Sequence, residues 1–354
     1  MKVLSYIISP EFVYMWIRVA TPIIFSSLGG VICSRAGVVN LGLEGIMLIS
    51  ALAGVLGSAF GGSLLWGMVA GLAAALAVSA LFAYFHLVLK ANNVLCGTAV
   101  NTMASGLTVF VLQLATGEKG NSSSLKSFAF PQVNIPVIKD IPVLGSIISG
   151  HNALTYFALL MVFVIWFFLY KTPMGLRMRA VGENPDAASS VGQNVTGIRF
   201  LAILLCGVLT GLGGMYLSMG YLTMFVRDMT AGRGFIALAA CSMGQATPVG
   251  ALLSSMIFPS LHPQHSHPGF LSHNYTVKYI GSFFHLLNIF FVKGTLINYF
   301  YILAKIFRVH QNSHDNQMHR NHGYTTDSAL QEQRSCIPAL KIQSIGIHHK
   351  NPIF

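Results

Sequence analysis

Apolar residues come in long runs, parted by short polar stretches, through roughly the first 257 positions of the chain. A membrane-spanning helix needs about 20 mostly apolar residues. Runs near 12–32, 38–59, 64–89, 96–116, 153–170, 200–220 and 235–257 meet that need, and a weaker one lies near 279–304. The cleanest run, Leu64 to Leu89, carries His86 as its only acid or base. A soluble core helix of that length belongs only in a very large protein. The pattern therefore predicts an all-α, polytopic transmembrane helical bundle with about seven or eight spans, its membrane domain occupying 1–257. Small residues crowd these runs, as at Gly54, Gly57, Gly61 and Gly62, or Gly207, Gly211, Gly213 and Gly214. In lipid such residues let helix backbones approach closely, so they mark packing faces before they mark a ligand site.

Composition agrees. Hydrophobic residues make up 54% of the chain, charged residues 9%, and the mean hydropathy is +0.65. A soluble domain carries about 25% charged residues. The net charge of +11 fits Lys and Arg gathered in cytoplasmic loops. No basic stripe is interleaved with aromatics, so nucleic acid is not an expected partner; membrane lipid is. Cys33, Cys96, Cys206, Cys241 and Cys336 are scattered without a CxxC pair, which argues against a zinc site or a disulfide framework. Glu11 and Arg18 interrupt the apolar start, so it reads as a retained span in place of a cleaved signal.

Loop charge sets the orientation. Lys171, Arg177, Arg179 and Arg199 outnumber Glu183 and Asp186 between Tyr170 and Phe200, placing that loop in the cytoplasm. Counting back, 117–152 is external, while 90–95 and Arg35 are internal, and the N-terminus is external.

Near Phe258 the texture changes. Eleven of the 13 histidines lie beyond it, and Pro259 to His273 packs three prolines among four histidines. The segment 258–354 reads as a divergent tail with at most one further span. Its histidines lack regular ligand spacing and acidic or cysteine partners, so no metal site is expected.

The sequence has no G-x-x-x-x-G-K-[ST] loop, no GxSxG elbow and no HExxH, and no catalytic residue is assigned. The polar groups inside the apolar runs are more telling. Gly37, Asn40, Gly42, Glu44 and Gly45 lie together, with Asn40 and Glu44 four apart and so on one helical face. A carboxylate entering a membrane normally faces a bundle interior or an aqueous cavity. The glycines loosen the helix there, as in broken helices that line solute pathways. Pairing of Glu44 with a nearby Arg is the equally weighted alternative. Gly232, Arg233 and Gly234 open a second apolar run that breaks again between Gly244 and Pro248. Asn101 is the amide in the spans best suited to a pathway.

The cytoplasmic loop from Thr172 to Val195 contains Asn184-Pro185-Asp186, an N-cap, a first-turn proline and a favourably placed acid, with Gly192 to close the element. A short capped helix outside the membrane suits docking on a soluble partner; a plain connection is the competing reading.

Three segments in order, ATPIIFSSLGGVICSRAGVVNLGLEG, GLRMRAVGENPDAASSVGQNV and TAGRGFIALAA, strongly resemble permeases of ATP-binding cassette importers, in the nucleoside and simple-sugar branch that includes the ribose permeases. The resemblance runs from about residue 12 to 257. It implies a multi-pass subunit of the bacterial cell membrane that works with a second permease subunit, cytoplasmic ATPase subunits and an extracytoplasmic solute-binding protein. Solute, nucleoside or sugar, would move inward, and the chain would hold no cofactor, ATP being used by its partners. The resemblance implies an ATPase-coupling element around Gly182 to Gly192, drawing in Arg177, Arg179, Glu183, Asn184, Pro185, Ala187 and Ala188. It places Asn40 to Glu44 and Gly232 to Gly234 in or near the translocation core. The likeness stops abruptly near Phe258, the pattern a reading-frame shift would leave. The rival readings are a secondary transporter or channel-like protein without an ATPase, and an inactive truncated permease.

Overall fold

The computed structural model describes residues 10–118, 120–125, 127–133 and 149–258, and their regular structure is helical, with two isolated antiparallel bridges, Asn121 with Val226 and Gln132 with Asn152. Ten α-helices follow one another: α1 (Pro10–Arg35), α2 (Leu43–Gly61), α3 (Leu64–Ala83), α4 (Asn93–Thr116), α5 (Ala153–Lys171), α6 (Pro173–Glu183), α7 (Pro185–Ser190), α8 (Val195–Met215), α9 (Arg233–Met243) and α10 (Pro248–Ile257). α3 and α8 each run on through one π-helical turn, Tyr84–Val88 and Tyr216–Tyr221.

Local chemistry fixes most boundaries. Asn92, Asn152, Thr172, Asn184, Asn194 and Thr247 each accept a first-turn amide at the start of a helix, and proline opens α6, α7 and α10. α4 ends where Gly117 takes a left-handed φ of 75°. Arg18, a cation inside the first span, is satisfied at the far end of α8. Its guanidinium donates to the Tyr221 carbonyl at 3.1 Å and lies over the Tyr221 ring.

Among the described residues six helices are long and apolar enough to cross a membrane: Val13–Arg35, Leu43–Gly61, Leu64–Val88, Asn93–Thr116, Ala153–Lys171 and Val195–Tyr221. The seventh expected span, 235–257, is instead two half-helices of 11 and 10 residues. At a rise of about 1.5 Å per residue each reaches about 15–16 Å, half of an apolar layer of about 30 Å. The break has a backbone cause. Gln245 and Ala246 adopt positive φ, and Pro248 disfavours helical Thr247. The second span also begins at Leu43 and not near 38, because the chain from Gly37 to Gly42 is non-helical. The weaker run at 279–304 lies outside the described residues.

The spans form two tiers. About three quarters of α1 and α8 and 61% of α2 are buried within the chain, against a third or less of α3, α4 and α5. The inner tier packs on small residues: Gly214 of α8 lies against the Met47 carbonyl and Ser50 of α2, where any side chain would collide. Leu65, Trp66, Phe110, Leu114 and Phe163 project from the outer tier.

Candidate functional site

The break between α1 and α2 and the first turn of α2 hold Gly37, Asn40, Gly42, Glu44 and Gly45. α1 ends in a Schellman motif: Gly37 has φ 75°, its N–H donates to Ser34 O at 3.1 Å, and Val38 N–H donates to Cys33 O at 3.0 Å. The chain then turns back into the bundle. Asn40, buried, accepts the Gly42 amide at 3.0 Å and donates to the Cys206 sulfur at 3.5 Å. α2 has Gly42 at its N-cap and no side-chain cap of its own. Asn101 of α4 supplies one from outside, accepting the Gly45 amide at 2.8 Å while donating to Leu41 O at 3.0 Å. Asn101 thereby pins the whole turn to α4.

Glu44 points to α9. One carboxylate oxygen accepts the Gly232 amide at 2.8 Å and the other the Gly234 amide at 2.6 Å. Gly232 is the N-cap of α9 in a left-handed conformation, φ 81°. A helix N-terminus carries a partial positive charge and unpaired amides, so a carboxylate there is doubly favoured. Gly234 cannot carry a side chain: a Cβ would fall 2.6 Å from Glu44 Cα. Arg233, between them, is buried and folds back to donate to Met229 O and Thr230 O at 2.9 and 3.1 Å. Glu44 is thus held by two backbone amides at the start of α9.

The other end of α9 meets the opposite charge. Arg35 Nε donates to Ala246 O at 2.7 Å and a terminal nitrogen to Gln245 O at 3.3 Å, at the elbow joining α9 to α10. A cation on the carbonyls past a helix C-terminus complements its dipole. α9 is therefore clamped by an acid at its start and a base just past its end, both from the α1–α2 break. The flanking segments hold Thr223, Asp228 and Ala231 on one side, and Gln245 and Ala246 on the other, at positive φ. Such conformations cost of order 1–3 kcal/mol each and persist where surrounding contacts enforce them.

Arg35 has a second contact. Gly182 of α6 sits against the Arg35 carbonyl, leaving no room for a Cβ, and Gly37 faces Gly182 across the same crossing. Arg199 of α8 closes the corner by donating to Ala36 O at 3.3 Å. Gly37 accordingly belongs with the α6–α7 pair, apart from the Asn40, Gly42, Glu44, Gly45, Asn101, Gly232, Arg233 and Gly234 group. In α7, Asn184 accepts the Ala187 amide at 3.0 Å, and Gly192, φ 80°, ends the element. Pro185 opens it, Ala188 is buried against the bundle, and Glu183, Asn184 and Ala187 are exposed. Arg177 is exposed, whereas Arg179 turns in over the Tyr170 ring, 4.9 Å from its centre.

Two groups were missed by sequence reasoning. Arg35 served only to orient the chain, since a basic residue at a helix end reads as a loop charge. The pair Arg227–Asp228, with nitrogen and oxygen 3.4 Å apart, lies in the irregular segment before α9 and had no motif to announce it.

A protein-family description, branched-chain amino acid transport system / permease component, matches residues 12–262. The chain is 38% identical to the guanosine ABC transporter permease protein NupQ of Bacillus subtilis over 73% of its own length and 81% of that protein's. It is 40% identical to the nucleoside ABC transporter permease protein NupC of Lactococcus lactis, over 68% and 77% of the two chains. A putative glucose ABC transporter permease protein, TsgC13 of Haloferax volcanii, is 35% identical over 68% and 73%. No solved structure matches the chain significantly. Permeases of this kind are transport components that operate with ATPase and substrate-binding partners. With six helices able to cross a membrane and a family match over most of its length, the chain belongs to the branched-chain amino acid transport-type permease family, as a multi-pass cell-membrane subunit of an ATP-driven importer.

Proposed function

We propose that this chain carries nucleosides, or chemically related sugars, inward through the membrane while separate cytoplasmic ATPase subunits hydrolyse ATP. The reading rests on one observation: an exposed capped helix pair, α6–α7, touches the backbone of Arg35 through Gly182, and the side chain of Arg35 holds the elbow of the half-helix α9. A push at α6–α7 therefore has a short, packed route to the broken helix α9–α10. In this reading α6–α7 is the ATPase-docking element, with Arg177, Gly182, Glu183, Asn184 and Ala187 at or beside its surface. The α9 N-terminus with Glu44, Asn40 and Asn101 frames the translocation core. A second permease subunit completes the path, an extracytoplasmic binding protein delivers solute, and this chain binds no cofactor. The names of the relatives support nucleosides first and sugars second.

The test is uptake of labelled guanosine, uridine and glucose into proteoliposomes holding the chain with its ATPase, second permease and binding protein. ATP-dependent accumulation of a nucleoside supports the reading. Accumulation driven by an ion gradient without ATPase subunits would replace it with a secondary transporter.

A second reading concerns the tail. Family similarity ends at residue 262, close to the shift in composition after Phe258. We propose that the frame is shifted there; an inactive, truncated permease is then the alternative to the transport reading above. Translating the other two frames beyond that point tests this. Apolar, glycine-rich spans in one of them, and uptake restored by the corrected frame, are the expected results; their absence would make the tail authentic.

A further inference from the structure

Ser105 lies 12 residues after Asn93 and 11 before Thr116 in α4, about 17 Å from either end and hence near mid-membrane. At this depth its hydroxyl donates to Asp228 at 3.2 Å. Asp228 in turn pairs with Arg227, and the two side chains are 54% and 62% exposed. The pair lies in the irregular segment before α9, where the Arg227 N–H donates to Gly120 O of the loop after α4 at 2.9 Å. An open charge pair at this level is costly against lipid, and such residues normally face a bundle interior or water. The backbone gives the same answer. The segment from Leu222 to Ala231 is not helical, and Thr223, Asp228 and Ala231 are exposed in left-handed conformations. Irregular backbone at membrane depth is tolerated where it is buried in protein or lines a water-filled cavity. The exposed face of α4 beside it carries Thr98 and Thr102, whose hydroxyls donate to carbonyls of their own helix, among Leu95, Met103 and Leu107, while the exposed face of α5 carries Leu160, Phe163 and Phe167.

We propose that Arg227, Asp228 and Ser105, with Thr98 and Thr102, line an aqueous groove at mid-membrane that contacts a neutral, polyhydroxylated solute. The inference rests on the importer reading for its solute and on the exposed charge pair for its place. A carboxylate offers about four lone-pair sites and a guanidinium five N–H donors, more than their mutual contact and Ser105 consume. Together they accept from and donate to the hydroxyls of a ribose or hexose. Being neutral as a pair, they give no net attraction to an anion.

The test uses the full chain in liposomes with native cysteines replaced and one reporter thiol added: Ser105→Cys, Thr102→Cys, or Phe163→Cys at similar depth on the α5 face. A membrane-impermeant methanethiosulfonate reagent probes each. Modification of the Ser105→Cys and Thr102→Cys chains at least tenfold faster than the Phe163→Cys chain is expected. Guanosine or glucose should slow modification of the Ser105→Cys chain, and Asp228→Asn should remove that protection. A Ser105 thiol as inert as the Phe163 thiol would overturn the groove, since lipid or a second permease packed on this face gives that result. Fast modification that neither guanosine, uridine nor glucose slows would overturn the solute contact. Protection without ATP-driven uptake in the complete complex would sink the importer reading and leave the groove standing.

Discussion

Glu44 is the residue on which most contacts at the break converge. It donates nothing and accepts two amides of a helix terminus, so charge and shape both matter. Replacing it by alanine leaves Gly232 and Gly234 N–H groups without their acceptor, at about 1–3 kcal/mol per unsatisfied buried donor. Glu44→Gln keeps the shape but has one acceptor oxygen, so it retains one amide bond at roughly half its strength and sets its NH2 against the other N–H. Thermal unfolding of the purified chain should therefore rank wild type above Glu44→Gln above Glu44→Ala; equal midpoints would remove the latch. Gly234→Ala is expected to cost about 1–3 kcal/mol through overpacking against Glu44, visible in the same melt. The sequence pointed to Glu44 and to Gly232–Gly234 separately. It could not join them, because they are nearly 190 positions apart and a glycine's amide leaves no mark in a residue pattern.

At the scale of the element, α9 is an 11-residue rod fixed at both ends to the α1–α2 break and flanked by segments with positive φ. Arg35→Lys should retain part of the hold on the elbow, since an ammonium still donates to a carbonyl but lacks the planar fork of the guanidinium. Arg35→Gln should retain less. Both are expected to lower ATP-driven uptake, glutamine by tenfold or more, while ATP hydrolysis by the assembled complex persists. Parallel loss of hydrolysis and uptake would point to failed assembly instead. Gly182→Ala attacks the other face of Arg35, and combining it with Arg35→Gln should cost less than the sum, the mark of two residues acting through one contact. The division of the last apolar run into α9 and α10 was half legible. The glycines and Pro248 announced a break, but the added length of two half-helices equals one span, and hydropathy counts length before direction.

The whole molecule sorts its helices by what they touch. α8 packs against both α1 and α2; α3, α4 and α5 show apolar side chains outward; and α6–α7 packs on the ends of the spans with Glu183 and Asn184 left exposed. Glu183→Arg should leave membrane insertion unchanged, because the side chain touches no span. It should reduce solute-stimulated ATP hydrolysis severalfold if this surface meets the ATPase, through reversed charge at the contact. Unaltered stimulation in a complex that transports solute would move the docking site elsewhere. Fold class and the capped loop helix were legible because each follows from local pattern: apolar length for the spans, Asn184-Pro185 for α7. The inner and outer tiers were not, since α3 and α8 have similar apolar length and differ chiefly in which neighbour covers them.

The shortness of α9 and α10 bears on how the chain is made. A nascent segment enters the bilayer during synthesis when it is long enough to cross, and neither half-helix meets that measure alone. The earlier six spans emerge first, already bringing Arg35 and Glu44 to the break. The half-helices then have a preassembled wall with a cation and an anion waiting for their two ends. Biogenesis of this permease is therefore expected to finish with a late docking step. In a synthesis time course, protease resistance of α9–α10 should lag behind that of the spans, and Glu44→Ala should lengthen the lag.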